Sequence, residues 1–327
     1  MHSIGTMIQH YKVLELMGQG GMGEVYLCED TTLNRQVAIK VLMPSLTQDA
    51  GFSARFRHEA QLQAKLVHPN IIGIYSFFEE FGESYIVMEY AQGRTLRSLI
   101  ETTGPIPEAR AKAILIQVLQ GLAYAHARDV VHRDIKPANI MFDAAADAVK
   151  VSDFGIARIT DSSKTRTGLV LGTPSFMAPE QLAGQRVDGR CDLYALGVTL
   201  FQLLSGQLPL RGNSMSELMH HIAHTPAPDL RTLRPELPAD LAQVVEQALR
   251  KSPRERFQTG RQFASALRGV HATLGGAGAP ANVSPGQALV YDALSNPPGH
   301  NMSDFQETVM DAAAPRTPAT GRDKATP

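Results

Sequence analysis

From Tyr11 to Leu42 apolar and polar residues alternate in short runs, and β-branched residues mark Glu24 to Cys28 and Gln36 to Val41. A period of two puts one face of each run into a core and the other into water, so the chain opens as antiparallel sheet. Between Phe52 and Val67 the period lengthens. At 100° per residue Phe52, Phe56, Gln63 and Leu66 share one helix face, and His68-Pro69-Asn70 ends the element. Two more strands are predicted, Ile71 to Phe78 and Ser84 to Tyr90. After Ala91-Gln92-Gly93 helical spacing dominates, notably in Glu108 to Ala127, Asp192 to Ser205, Ser216 to His224 and Ala239 to Arg250. The expected class is α+β, with a sheet-rich first body and a mainly helical second.

Length and composition fit that picture. At about 150 residues per domain, 327 residues suit two bodies, and 43% hydrophobic with 19% charged residues is ordinary globular usage. Beyond about Leu274 the chain turns rich in Gly, Ala, Pro, Ser and Thr, with too few large apolar residues to offset the entropy of ordering them. A flexible tail is expected there, with Gln287 to Leu294 as a patch able to dock weakly or form a short helix. A net charge of -1 offers no long-range pull on nucleic acid or an anionic membrane. Two cysteines, Cys28 and Cys191, cannot build a disulfide framework, so a reducing compartment, the cytoplasm, is expected. The first residues lack the basic head, apolar stretch and cleavage site of a secretion signal. The most apolar window, Leu193 to Leu204, is too short for a bilayer, which needs roughly 20 apolar residues. It reads as a buried helix.

Three strings carry chemistry. Gly18-Gln19-Gly20-Gly21-Met22-Gly23-Glu24-Val25 lies between two strands, so it is no strand-to-helix dinucleotide turn. A hairpin without side chains can fold its backbone amides over a polyphosphate. Next, Val37-Ala38-Ile39-Lys40 places an ammonium on a strand. Glu59 sits within about 20° of Phe52 on the apolar helix stripe, where a carboxylate is costly unless paired, and Lys40 is its natural partner. Most specific is His132-Arg133-Asp134-Ile135-Lys136-Pro137-Ala138-Asn139-Ile140, followed by Ser152-Asp153-Phe154-Gly155. Phosphoryl transfer demands oxygen ligands for magnesium, here Asn139 and Asp153, and a carboxylate at the attacking hydroxyl, here Asp134. Lys136, two residues on, is placed to neutralise the transferring group.

With these strings in this order the chain resembles eukaryotic-type protein kinases, in wording most like the bacterial serine/threonine branch, from roughly Tyr11 to Val270. The resemblance implies a bilobal kinase fold: an N-lobe of antiparallel sheet with one main helix over residues 1–90, a helical C-lobe over 91–273, and the tail over 274–327. It implies that Gly18, Gly20 and Gly23 cover ATP and that Lys40, paired with Glu59, holds its α- and β-phosphates. Asp134 and Lys136 would be catalytic, with Asn139 and Asp153 on Mg²⁺ or Mn²⁺. Glu89 and Ala91, in the segment Met88-Glu89-Tyr90-Ala91 that joins the lobes, would offer backbone groups to adenine, with Val25, Ala38 and Met141 sandwiching the ring. Glu180 of Ala178-Pro179-Glu180 would pair with Arg256, and Asp192 would brace the catalytic loop. Lys136, with Gly172-Thr173, points to serine or threonine acceptors on protein substrates. Alternatives are a nucleotide-binding pseudokinase scaffold, against which the intact Lys40, Asp134, Asn139 and Asp153 argue, and a small-molecule phosphotransferase, disfavoured by a complete activation segment.

Regulation has its own candidates. Arg133 beside Asp134 seeks a dianionic partner, and among Thr160, Ser162, Ser163, Thr165, Thr167 and Thr173 the threonines 165 and 167 are the expected autophosphorylation sites. Gln63, one turn after Glu59, stands where kinases often place an apolar residue, which points to help from a transient homodimer or phosphorylation. Thr308, with Asp311 three residues on, is the expected handle for a forkhead-associated domain. His126, and His220 with His221 and His224, read as packing or surface residues and not as catalytic or metal-binding groups. Related bacterial kinases anchor such a domain by a membrane helix, so the expectation is a soluble kinase or a cytosolic portion of something longer.

Overall fold

The computed structural model describes residues 2–20, 23–43, 50–154 and 174–270, without the side chains of residues 50–55 and of Glu59. The first body is a sheet of six strands: β1 (Met7–Ile8), β2 (Tyr11–Gly20), β3 (Gly23–Asp30), β4 (Arg35–Leu42), β5 (Ile74–Glu80) and β6 (Glu83–Glu89), in the order β1-β2-β3-β4-β6-β5. All neighbours run antiparallel. Alternation splits the sheet into two faces. One buries Val13, Tyr26, Cys28, Val37, Ile39, Val41 and Val87 as a cluster of its own. The other carries Val25, paired with Lys40, and Leu27, paired with Ala38. Helix α1 (Ala50–Gln63) packs on this second face, with Phe56, Leu42 and Ile86 buried together and the Phe56 and Phe77 rings 6.1 Å apart.

The second body is helical: α2 (Leu96–Thr103), α3 (Glu108–His126), α4 (Pro179–Leu182), α5 (Arg190–Ser205), α6 (Met215–His224), α7 (Ala239–Ala248) and α8 (Gly260–Gly269). A small sheet of β7 (Arg94–Thr95), β8 (Ile140–Asp143) and β9 (Ala148–Val151) lies beside it. Helix α5 is the axis of the core; Leu193, Leu196, Leu200 and Leu204 are all 0–1% exposed. Gly197 lets α7 come close, since a Cβ there would stand 2.8 Å from the Cβ of Ala248. The buried reading of Leu193 to Leu204 holds, and no helix among the described residues is long and apolar enough to cross a membrane.

Several elements differ from the sequence reading. The helix stops at Gln63 and not at Val67, and the amide of Leu66 turns back onto the Gln63 carbonyl at 2.8 Å. The next strand starts at Ile74 because Asn70 to Ile72 bond to β9 instead: Val151 N donates to Asn70 O at 3.0 Å and Ile72 N to Val151 O at 2.9 Å. The segment between α1 and β5 thus ties the two bodies together. Helix α2 was not foreseen; its signal is a cap, Thr95, whose hydroxyl accepts the Ser98 amide at 3.1 Å. Gln287 to Leu294 and the expected tail lie outside the described residues.

Candidate active site

The glycine string forms the turn between β2 and β3, with Gly18 opposite Val25, Gln19 opposite Glu24 and Gly20 opposite Gly23; Gly21 and Met22 lie outside the described residues. Gly23 has φ 150°, and a Cβ there would fall 1.9 Å from the Val41 carbonyl oxygen. No side chain fits. A Gly23→Ala variant should therefore lose about 1–3 kcal/mol of stability and raise the KM for ATP several-fold, read by urea unfolding and steady-state kinetics. Unchanged values of both would show that the hairpin is not held where we place it.

Val25 stands across from Lys40, and Ala38, 5% exposed, is paired with Met88 of β6. Beyond β6, Ala91 is buried, and Met141 lies on β8 opposite Thr95. The Glu89 carboxylate is pinned from two sides, by Lys150 at 2.9 Å and by the Gly73 amide at 3.3 Å. The Glu89 side chain is thereby engaged away from any ligand role, which leaves its backbone groups for the contact the resemblance implies.

The catalytic-loop string is folded tightly. Lys136 opens a short 3-10 turn over Pro137–Asn139, which swings Asn139 back under Asp134. Its amide nitrogen donates to the Asp134 carbonyl at 2.7 Å and to Oδ2 of the same residue at 3.1 Å. Lys136 Nζ reaches that Oδ2 at 2.9 Å. His132 is fully buried, bonded through Nε2 to the Ser152 carbonyl at 2.7 Å, with its ring centroid 4.6 Å from that of Phe154 and the planes tilted by 56°. This joins the two strings. Ser152 N also donates to Asn139 O at 2.9 Å. The next residue, Asp153, meets Lys40: Nζ to Oδ1 is 2.7 Å across 113 positions of sequence. Burial alone would raise the Asp153 carboxyl, but the Lys40 ammonium, helped by His132 and Lys136, holds it below the usual carboxylate range.

Arg133 and Asp153 both take left-handed backbone, φ 69° and 58°. Such strain in residues with side chains persists where surrounding bonds over-determine it. For Arg133 the bonds come from Asp192, which is 1% exposed. Its Oδ1 accepts the Arg133 amide at 2.7 Å and its Oδ2 the His132 amide at 2.9 Å. His126 Nε2 stands 2.7 Å from Oδ2 as well. Burial would raise this carboxyl; the His126 hydrogen bond and charge, with His132, outweigh it and keep it below the ordinary value. A carboxyl lowered on folding contributes stability that is complete above the unfolded value of about 3.9 and fades as pH falls through the folded one. Asp192→Asn should be less stable at neutral pH and lose much of the acid-side slope in unfolding free energy. An unchanged slope would mean that another group drives it.

Behind the loop, Gln181 Nε2 donates to the Arg133 carbonyl at 2.9 Å. Glu180 pairs with Arg256 through two bonds of 2.8 and 2.7 Å, both side chains buried. Asp192 and the Glu180–Arg256 pair thus stand as the family resemblance implies. His126, expected to pack, also stands against Asp192, a contact that local sequence pattern does not reveal because only the fold brings residues 66 positions apart together. The Lys40–Asp153 contact was missed for the same reason. The expected Lys40 partner, Glu59, lies on α1, but its side chain is outside the described residues, as are Thr160 to Thr173 and Thr308. Gln63 is buried on α1 at 6% exposure. Among the described residues no group of His, Cys, Asp and Glu has the arrangement to hold a metal by itself, His220, His221 and His224 included.

Comparison with known proteins places the chain in a family. The family described as protein kinase domain matches residues 11–266. The serine/threonine-protein kinase PknB of Mycobacterium leprae (strain TN) is 43% identical over 268 residues, covering 80% of this chain and 43% of that protein. PrkC of Bacillus subtilis (strain 168), also a serine/threonine-protein kinase, is 39% identical over 267 residues, covering 81% of this chain and 41% of that one. The chain therefore spans less than half the length of these curated relatives. The crystal structure of the Mycobacterium tuberculosis PknI kinase domain superposes with a TM-score of 0.67 at 32% identity, over 82% of this chain and 99% of that one. With an antiparallel sheet stacked on a helical body, and the two motif strings folded against each other, this chain belongs to the protein kinase family, in its bacterial serine/threonine branch.

Proposed function

We propose that this chain transfers the γ-phosphoryl group of ATP to serine or threonine hydroxyls of proteins. The observation that carries the reading is a pair of contact sets, Lys40 with Asp153 and Lys136 with Asp134 and Asn139, joined where the Ser152 amide beside Asp153 donates to the Asn139 carbonyl. The family uses ATP and a divalent cation, and the donor set fits one. Asp153 is held ionised, and Asn139, whose nitrogen is engaged by Asp134, has its amide oxygen left as the ligand atom. Mg²⁺, or Mn²⁺ in its place, would be held by these two residues and would neutralise phosphate charge.

The chain's own residues then divide the work. Gly18, Gly20 and Gly23 let the hairpin backbone approach the phosphates, and Val25, Ala38 and Met141 enclose adenine while Glu89 and Ala91 present backbone to its edge. Lys40 exchanges its contact with Asp153 for the α- and β-phosphates, in partnership with Glu59. Asp134 orients the acceptor hydroxyl and takes its proton. Lys136, already 2.9 Å from Asp134, places its ammonium beside the transferring group. Charge placement of this kind supplies most of the rate in phosphoryl transfer.

Regulation follows the same logic. Phosphate on Thr165 or Thr167 pairs with Arg133, whose backbone Asp192 and Gln181 already hold in place. Phosphorylated Thr308 recruits a forkhead-associated domain, and a transient homodimer steadies α1, where Gln63 replaces an apolar contact. Both cysteines are buried and free, which supports a reducing compartment, and we place the catalysis in the cytoplasm. The test is incubation with γ-labelled ATP and a generic basic protein, followed by phosphoamino-acid analysis. Label on serine or threonine, in the acceptor or in the chain itself, is the expected result. ATP binding without transfer would make the chain a pseudokinase scaffold, and transfer only to small molecules would overturn the substrate class.

A further inference from the structure

Helix α2 ends on two exposed threonines, Thr102 and Thr103, whose hydroxyls are held differently. Thr103 Oγ1 donates to the Leu99 carbonyl at 2.7 Å and meets only backbone oxygen. Thr102 Oγ1 donates to the Ser98 carbonyl at 2.8 Å and accepts from Arg94 Nη1 at 3.0 Å. No other serine or threonine hydroxyl of the described residues accepts a hydrogen bond from a cationic side chain.

Arg94 is rooted on β7 between two fixed residues. Gly93, at φ 98°, has no room for a Cβ, which would fall 2.2 Å from the Phe142 carbonyl oxygen. Thr95 caps α2 and pairs with Met141. Among the described residues the Arg94 guanidinium forms no ion pair. Glu101, next to Thr102, is bound by Arg97 at 2.8 Å. Burial, with no carboxylate to oppose it, pulls the Arg94 guanidinium below its ordinary value. A partly buried cation bonded to one neutral hydroxyl lacks the anion that would complete it.

We propose that Thr102 is a phosphorylation site, modified by a second copy of this chain, and that Arg94 captures the phosphate and clips the end of α2 to β7. This rests on the kinase reading above. In the transfer the Thr102 oxygen bonds to the γ-phosphorus of ATP and the bond from that phosphorus to the β–γ bridging oxygen breaks. ADP leaves, and the hydroxyl proton passes to Asp134 of the second copy. The acceptor turn can open to reach a cleft, because its bonds are local and Gly104, at φ 69°, ends it. A phosphate carries about −1.5 to −2 charges at neutral pH. On the last turn of a helix it meets the carbonyl ends and is repelled. Parallel N–H donors of a guanidinium already 3.0 Å from the ester oxygen reverse that sign. Phosphate on Thr103 has no such cation and only loosens the turn. Because Thr95, at the other end of α2, faces Met141, the clip stiffens the chain that follows the segment joining the lobes.

Two measurements on the full chain separate the site from its capture. In the first, the chain is incubated with Mg·ATP and a basic acceptor protein, and phosphosites are mapped by mass spectrometry. Phosphate should accumulate on Thr102 at a rate that rises with chain concentration. In the second, phosphothreonine is installed at position 102 during synthesis, so that no turnover is needed. A generic phosphatase should release it about tenfold more slowly than from the same chain carrying Arg94→Gln. Tm should rise by about 2–4 °C when Arg94 is present and not in Arg94→Gln. Phosphothreonine installed at 103 should give neither effect. A labelled acceptor protein with Thr102 unmodified would overturn the site and leave the kinase reading intact, and a rate independent of concentration would overturn transfer between copies. Phosphatase rates and Tm indifferent to Arg94, or equal effects at 103, would overturn the capture. Label on neither protein would overturn the kinase reading and the transfer with it.

Discussion

Asp134→Asn should abolish phosphoryl transfer by about 10²- to 10⁴-fold in kcat, the usual worth of a positioned proton acceptor. ATP affinity and thermal stability should hardly change. The amide keeps the shape and size of the carboxylate, the Asp134 side chain is 38% exposed, and its backbone carbonyl still accepts the Asn139 amide. What is lost is the negative charge that draws the acceptor hydroxyl's proton and anchors Lys136. Single-turnover kinetics with ATP binding measured in parallel separates the two effects. A variant that loses ATP binding as much as transfer would show Asp134 to be a binding or structural residue.

Arg256→Leu should be the most destabilising single change in the C-lobe. The guanidinium bonds twice to Glu180, donates to the carbonyls of Arg190, Arg250 and Lys251, and lies 4.8 Å over the Tyr194 ring. Leucine leaves Glu180 as a buried carboxylate without its cation, a defect worth about 3–5 kcal/mol. At a few degrees per kcal/mol for a body of this size, Tm should fall by roughly 10 °C or more. Removing both charges, in Arg256→Leu/Glu180→Leu, should recover a good part of the loss, because the stranded charge is the larger cost. If the double variant is no better than the single one, the guanidinium's bonds to the three carbonyls carry the stability instead. Because α4, with Glu180, also delivers Gln181 to the Arg133 carbonyl, activity should fall at temperatures where the single variant is still folded.

The chemistry was legible where it constrains residue type at fixed spacing. His132 to Asn139 and Ser152 to Gly155 stand out because, in the chemistry proposed for them, a metal, a phosphate and a hydroxyl would each demand a particular donor. The short turn at Pro137 explains why five positions suffice to return Asn139 to Asp134. Periodicity found the long elements: α3, α5 and the strands of the large sheet bury continuous faces. It failed where burial is shared with distant partners. Helix α2 is eight residues long and depends on its Thr95 cap, and β7 to β9 are strands of two to four residues that pair only because the fold brings them together. Local pattern likewise cannot tell that Lys40 touches Asp153, or that His126 supports Asp192, because those contacts cross 113 and 66 positions. A buried acid such as Asp192 is the one usable hint, since it must find donors somewhere.

The proposed reaction requires Lys40, Asp134, Asn139 and Asp153 to surround a metal-bound triphosphate. Calorimetric titration of ATP with and without Mg²⁺, in the unaltered chain and in Asp153→Asn, tests it most directly. Mg²⁺ should tighten ATP binding to the unaltered chain by about tenfold or more, 1.4 kcal/mol. In Asp153→Asn that increment should vanish while metal-free binding persists. The same Mg²⁺ increment in both proteins would remove Asp153 from the metal site, because the cation would then be held without it.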